Sequence, residues 1–307
     1  MARHKPIVVV GSLNIDLVVR TARLPRPGET VRGDQFYTAP GGKGANQAVA
    51  AARMAGPDLD VIMIGRVGQD EFGRVLRQSL AEAGAVVDHV EAVAGPSGNA
   101  MISVEASGQN CIIITAGANG RLTVEDMNRV ASTLRGADTL LLQLEVPLPV
   151  VERAAELAAS GGARVVLNPA PAPDGALPRT LLQHVAILVP NETEAEALTG
   201  TTDQHAAAET LRSWGVQTVI ITLGERGALV ATPAGSEIIQ AFDVTAVDTT
   251  AAGDAFLGAL AVALAEGKDL FHALRFASAA GALTCTIPGA QPALPWRSTV
   301  DSFLLGE

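Results

Sequence analysis

Short apolar runs recur along the chain at residues 7–10, 61–64, 139–144, 164–167, 185–189 and 218–222, several rich in Val and Ile and closed by Gly, Pro or a polar residue. Runs that are apolar at successive positions, with no polar alternation, predict strands buried on both faces of a sheet. Between them, apolar residues fall at helical spacing over 44–54, 71–83, 124–134, 150–159, 192–199 and 206–214, and a further apolar helix is expected over 255–265. Strand and helix therefore alternate, which predicts an α/β fold with right-handed crossovers and a mostly parallel sheet. No internal repeat or low-complexity linker interrupts the pattern, so residues 1–307 are expected to form one domain.

Two stretches break this rhythm. Residues 29–37 and 99–114 alternate in the manner of short strands, the second turning through Ser107, Gly108 and Gln109, and neither leads directly into a helix. They predict a small antiparallel sheet beside the main one, contributed by about 12–40 and 98–115. Open α/β sheets bind ligands beyond the carboxyl ends of their strands, so such an insertion reads as a lid, the alternative being an ordinary edge hairpin.

Composition narrows the class. Apolar residues make up 48% of the chain and aromatics 3%, so the core must be filled by Ala, Val, Leu and Ile, as between helices and a parallel sheet. With 22 basic and 32 acidic residues the net charge is −10 and no basic run occurs, which argues against nucleic acid or an anionic membrane as partner. Cys111 and Cys285 lie in apolar runs far apart, and read as reduced core residues of a cytoplasmic protein. The run at 7–10 is too short for a signal peptide, and 255–265 falls below the ~18 apolar residues needed to span a bilayer, so a soluble protein is expected.

The most informative segment is Asp248-Thr249-Thr250-Ala251-Ala252-Gly253-Asp254, which opens the apolar helix. A helix N-terminus offers unpaired N–H groups and partial positive charge, and small side chains let a polyphosphate approach the backbone. A carboxylate at Asp254 would repel that phosphate unless its task is to accept a proton from the attacking group, which points to a kinase acting on a hydroxyl. The alternative is an acidic residue that only complements the helix dipole. Upstream, Asn14 and Asp16 follow the first strand, Gly41-Gly42-Lys43-Gly44-Ala45-Asn46 opens the first helix, and Glu145 follows the strand at 140–144. Asp16, Asn46 and Glu145 can converge on one polyol, although each alone also suits a cap or solvated turn. The Gly-Gly-Lys-Gly cluster lacks the spacing of a Walker loop. Asn191 can cap the helix at 192–199 with Glu194 one turn later, placed to reach a metal ion or its waters, and Thr222-Leu223-Gly224-Glu225-Arg226-Gly227 can lie along a nucleotide.

These residues together resemble the PfkB-type carbohydrate kinases, most narrowly the branch that phosphorylates ribose. The resemblance covers essentially the whole chain: residues 41–48 and 248–254 match the two family signatures, and 11–16, 116–119, 143–145, 168–171, 191–196, 222–224 and 289–292 match between and beyond them. It implies a three-layer α/β sandwich with a nine-stranded-type central sheet, a β lid that also forms a homodimer contact, and ATP-dependent phosphorylation of the ribose 5-hydroxyl. By the same resemblance Asp254 is the base, with Ala251, Ala252 and Gly253 at the anion hole. Asn14, Asp16, Gly42, Lys43, Asn46 and Glu145 hold the sugar, while Asn191, Thr222, Gly224, Gly227 and, on the adenine side, Ser278 lie along ATP. Magnesium bridges the phosphates with Glu194 acting through water, and potassium is bound by Asp248 with carbonyls of Thr250, Thr284, Ile287 and Gly289. Ala293 stands where a serine is often found, so the potassium site lacks that hydroxyl. Ala251 stands where glycine is common, with little loss expected because Ala supplies the same amide. Rival readings are a sibling kinase for deoxyribose, fructose or a nucleoside, and a catalytically silent sugar sensor.

Overall fold

A computed structural model describes residues 4–173 and 175–306. Its strands are β1 (Ile7–Val10), β2 (Asn14–Thr21), β3 (Gly33–Gly41), β4 (Val61–Gly68), β5 (Val86–Val93), β6 (Gly98–Glu105), β7 (Asn110–Thr115), β8 (Thr139–Leu142), β9 (Arg164–Leu167), β10 (Ile187–Leu188), β11 (Thr218–Thr222), β12 (Ala228–Thr232) and β13 (Gly235–Ile239). Nine of them form one sheet in the order β13-β12-β11-β10-β9-β8-β1-β4-β5, parallel except where β12 runs antiparallel to β11 and β13. From β1 the chain first builds outward through β4 and β5, then returns to β8 on the other side of β1. This reversal leaves a crevice beyond the carboxyl ends of β1 and β8, where such sheets place their ligands.

Helices cover both faces. The α-helices are α1 (Lys43–Met54), α2 (Glu71–Glu82), α3 (Val124–Arg129), α4 (Ala131–Arg135), α5 (Leu148–Ser160), α6 (Arg179–Leu182), α7 (Glu192–Thr199), α8 (Gln204–Ser213), α9 (Ala252–Ala265), α10 (Leu270–Thr284) and α11 (Arg297–Leu305). Because successive strand residues point to opposite faces, Ile7 and Val9 join the core beneath α1, α2, α9 and α10, whereas Val8 and Val10 join the one beneath α5, α7 and α8. Every residue of β1 and β8 is buried, which is why their sequences show no alternation.

The remaining four strands form a second sheet in the order β3-β2-β6-β7, the lid expected from the sequence. Within the segments 12–40 and 98–115 the sheet has four strands rather than two alternating stretches, and it is not wholly antiparallel, because β2 pairs with β6 in parallel. Strand β3 starts at Gly33, so residues 29–32 precede it. The expected helix at 124–134 is two, α3 and α4, divided at Val130. Strand β8 ends at Leu142, which leaves Gln143, Leu144 and Glu145 free of the ladder and able to turn toward the crevice.

One sequence expectation is overturned. Cys111 is exposed and Cys285 only partly buried, so neither belongs to the core. The apolar run around Cys111 is β7, an edge strand of the lid, whose side chains have no second layer against them. Among the described residues no helix is long and apolar enough to cross a membrane.

Candidate active site

Helix α9 starts with Ala251 in the left-handed region, φ 61°, the one non-glycine among the described residues with positive φ. That turn aims the first amides of α9 into the crevice and places Asp254 in the first turn. An alanine held there is strained by about 1–3 kcal/mol, and such strain concentrates at functional turns. Asp254 is buried, and its two oxygens are bracketed by consecutive residues of α1: Asn46 Nδ2 donates to Oδ2 at 3.0 Å and Gln47 Nε2 to Oδ1 at 3.0 Å. The approach of the two helices depends on Gly258, one turn further on, where a Cβ would lie 2.6 Å from Ala50 Cβ and 2.7 Å from the Ala51 nitrogen. Burial pushes the Asp254 carboxyl above the usual carboxylate range, opposed by the Lys43 charge and by the Gln47 and Asn46 amides. A desolvated carboxylate with a raised proton affinity is suited to act as a base.

On the lid side of Asp254 lie the residues expected to hold a polyol. Gly42, φ 89°, and Gly41, where a Cβ would meet Asp16 Oδ2 at 2.5 Å, let the start of α1 pass directly under β2. Asp16 is pushed up to about 7, first by burial and then by the nearby Glu145 charge. Glu145 Oε2 accepts from Ser12 Oγ and from the Lys43 amide at 3.0 Å, tying the end of β8 to the start of α1. Asn14 is clamped by Asn119, whose Nδ2 donates to Asn14 Oδ1 at 2.8 Å while its Oδ1 accepts from the Leu13 amide at 2.9 Å. Asn46 Oδ1 is buried without a partner, an acceptor left over beside Asp254.

On the other side of Asp254 is a cavity of about 200 Å³. Its walls include Lys43, Asn191, Glu194, Thr222, Ala251, Gly253 and Asp254 from the expected set, together with Asn168 and Thr249. Lys43, grouped by resemblance with the sugar ligands, thus also faces this second compartment. Asn191 and Glu194 form a reciprocal capping box on α7: Asn191 Oδ1 accepts from the Glu194 amide at 2.8 Å and Glu194 Oε2 from the Asn191 amide at 2.9 Å. The bland capping role is therefore real, and it coexists with a place on the cavity wall. Burial raises the Glu194 carboxyl, partly offset by the Asn191 amide and Lys43. Thr222 bridges Asn191 at the end of β11. Gly224 turns the chain with φ 59°, whereas Gly227 is required by β13, because a Cβ there would fall 1.9 Å from the Ile239 carbonyl oxygen. Ser278 is half-buried on α10, outside the walls of this cavity.

Beneath the first turn of α9, two loops are stitched together. Asp248 Oδ1 accepts from the Thr250 amide at 2.9 Å and from its hydroxyl, Oδ2 accepts from the Gly289 amide at 2.8 Å, and the Cys285 carbonyl accepts from the Val247 and Asp248 amides at 2.7 and 3.1 Å. Burial alone would raise Asp248, but these hydrogen bonds outweigh it and hold the carboxyl below its usual value. Thr284, Ile287 and Gly289 all belong to the facing loop or its lead-in. Ala293 is buried and offers no side-chain oxygen. The Ala252 amide donates to the Thr249 carbonyl at 3.2 Å, a long contact that an incoming anion would have to share. Among the described residues, no group of three or more His, Cys, Asp or Glu side chains is placed to hold a metal ion.

Ser12, Gln47, Asn119, Gln143, Asn168 and Thr249 escaped sequence reasoning as individual site members. Each lies within or next to a motif noted there, but an amide or hydroxyl shows no periodicity, and its role depends on the partner that the fold supplies.

Residues 4–297 match the model of the pfkB family carbohydrate kinases. The chain is 42% identical to a ribokinase of Haemophilus influenzae over 98% of its own length and 99% of that protein. It is 40% identical to a deoxyribokinase of Salmonella typhi, over 97% of this chain and 98% of that one. Among solved structures it is similar to Arabidopsis thaliana ribokinase complexed with ribose and ATP, with TM-score 0.90 and 35% identity covering 99% of each chain.

Proposed function

Because this chain belongs to the pfkB family of carbohydrate kinases, we propose that it transfers the terminal phosphoryl group of ATP to the 5-hydroxyl of D-ribose. The observation that carries this reading is the position of Asp254, a buried carboxylate standing between a compartment of hydroxyl-binding groups and a cavity at a helix N-terminus. In the sugar compartment, Asp16 and Glu145 accept hydrogen bonds from ribose hydroxyls, Asn14 and Asn46 donate and accept, and the Gly42 and Lys43 backbone lets the ring come close. The orphaned Asn46 Oδ1 accepts a hydrogen bond from a ribose hydroxyl beside the base. Asp254 then removes the proton of the attacking 5-hydroxyl as the new O–P bond forms and the bond from the terminal phosphorus to the bridging oxygen breaks, releasing ADP. The amides of Ala252 and Gly253, the α9 dipole and Lys43 stabilise charge on the transferred group, and Ala251 sets the turn that aims them. Asn191, Thr222, Gly224, Gly227 and Ser278 lie along ATP. The lid keeps water from the hydroxyl's place, which suppresses hydrolysis.

Among the described residues no carboxylate cluster is built for magnesium, so it would enter this cavity carried by the phosphates; Glu194, whose Oε2 accepts from the Asn191 amide, would keep its other oxygen for a water-mediated contact. When bound, it neutralises phosphate charge. Potassium would be held by Asp248 with the Thr250, Thr284, Ile287 and Gly289 carbonyls, a set of hard oxygen donors, and would lend positive charge to the anion hole. Ala293 adds no side-chain ligand there. The protein works in the cytoplasm as a homodimer joined through its lids.

The test is ATP consumption with ribose, deoxyribose, fructose and adenosine in turn, with and without potassium. The reading expects the highest kcat/KM on ribose. Preference for deoxyribose, the substrate in the name of one relative, would move the assignment to that sibling, and turnover of none would make the chain a sensor.

A further inference from the structure

We propose that Gln47 and Gln143 form a buried amide relay that holds the Asp254 carboxylate in its proton-accepting form and geometry, which makes both of them positioning residues for phosphoryl transfer. The inference rests on Asp254 being the base. Both glutamines are fully buried. Gln47 Nε2 donates to Asp254 Oδ1 at 3.0 Å, and Gln143 Nε2 donates in turn to Gln47 Oε1.

The direction of this chain is dictated from the carboxylate end. An ionised carboxylate only accepts, so Gln47 must present its NH2 to Asp254, which leaves its carbonyl oxygen pointing away. Only a donor satisfies that oxygen, so Gln143 must also present NH2, and its own Oε1 is left buried with no partner. Reversing either amide would set oxygen against oxygen at one of the two contacts. The unpaired acceptor at the far end is thus imposed by the charge at the near end. Space for it is provided by Gly11: in the register that pairs Val10 with Leu142, a Cβ on Gly11 would fall 2.1 Å from Gln143 Oε1. An apolar side chain of similar size at 143 would fill the same volume without an orphaned acceptor, so packing alone does not account for the amide.

The consequence concerns proton transfer. Burial and the Glu145 and Glu194 carboxylates facing the site favour the protonated acid, whereas the Lys43 charge and N–H donors to the carboxylate favour the charged base. Asn46 supplies one such donor but belongs to the sugar compartment, where its contacts change with the substrate. Gln47, locked from behind by Gln143, supplies one that does not change, so a donor to the carboxylate is in place and the base is oriented before the sugar arrives.

The test uses Gln47→Met, Gln143→Met and the double variant, which keep approximate volume and remove the donor. kcat is measured at saturating ribose and ATP across pH 5 to 9, beside the ribose Kd and the melting temperature. The acid limb of the kcat profile should move up by about one pH unit in Gln47→Met, and by less in Gln143→Met, with ribose Kd changed by no more than about threefold. The double variant should match Gln47→Met alone, because Gln143 acts through Gln47. An unmoved limb in both single variants, or additive shifts in the double, would overturn the relay. Gln143→Glu provides a second route should the methionine variants fail to fold: it keeps the shape but attracts the Gln47 NH2 away from Asp254, so its limb should lie above wild type, and a wild-type profile would again refute the proposal. Asp254→Asn in the same assay separates the two levels. If that variant turns over normally, the base assignment itself falls; if it is inactive while the glutamine variants keep the wild-type profile, only the relay falls.

Discussion

Asp16 gives the site a pH dependence that can be read separately from catalysis. Burial and the adjacent Glu145 push its carboxyl up to about 7, so it gains its charge only near neutrality. If its carboxylate accepts ribose hydroxyls, the KM for ribose should be about tenfold higher at pH 6 than at pH 8, while kcat at saturating sugar follows Asp254. The same shift predicts a stability effect in the protein without ligand. The folded state holds the Asp16 proton more tightly than the unfolded state does, so this group's stabilising contribution is present below its unfolded pKa and is lost as pH rises through about 7. Asp16→Asn should therefore melt close to wild type at pH 5 and above it at pH 8; a constant difference would contradict the assignment. The acidic residues were legible because a carboxylate at a strand's end or a helix's first turn demands a reason. Gln47, Gln143 and Asn119 were not, because an amide acquires its role from whatever lies opposite it, and their partners are 207, 96 and 105 residues away in sequence.

At the level of elements, the placement of Asp254 against Asn46 and Gln47 is set by how closely α1 packs on α9. Gly258→Ala places a methyl 2.6 Å from Ala50 Cβ and must push the helices apart. The variant should lose about 1–3 kcal/mol of stability, the usual penalty of overpacking, and lose kcat more than it raises the KM for ATP, because Asn46 and Gln47 ride on α1 whereas much of the cavity wall does not. Chemical denaturation and steady-state kinetics check the two halves of this prediction. The strands β1, β8, β9 and β11 and most helices were legible because both the buried-run and the 3.6-residue patterns are local. Strand β2 fell within the 12–40 segment expected to feed the lid, but its bounds were blurred by its polar start at Asn14 and Asp16, which are paired in the sheet all the same. The β12–β13 hairpin and α10 were not anticipated either. Cys111 was misplaced because apolar character says that a strand wants cover but not what covers it.

For the whole molecule the lid is the unfinished part. On its face opposite Asp16, neighbouring strands align Leu17 with Met101 and Met101 with Ile113, and Phe36 with Val19. Phe36, Met101 and Ile113 are 66%, 54% and 60% exposed, a concentration unusual for a free surface. Light scattering should report a dimer at assay concentration, and Ile113→Lys should shift it to monomer and weaken ribose binding by loosening the lid; a wild-type monomer would contradict the dimer proposal. With a net charge of −10, the proposed binding of substrate phosphates rests on local features, the α9 terminus and Lys43. In the proposed reading the fold brings a sugar half, built from β1, β2, α1 and the end of β8, against a phosphate half, built from α7, β11 and α9, with one carboxylate between them. The most direct measurement is the single-turnover rate of Asp254→Asn with ribose and ATP, alongside its ribose Kd. The account predicts ribose binding within a few-fold of wild type and phosphoryl transfer slowed by roughly 10²-fold or more. Transfer at a near wild-type rate with ribose binding intact would contradict it.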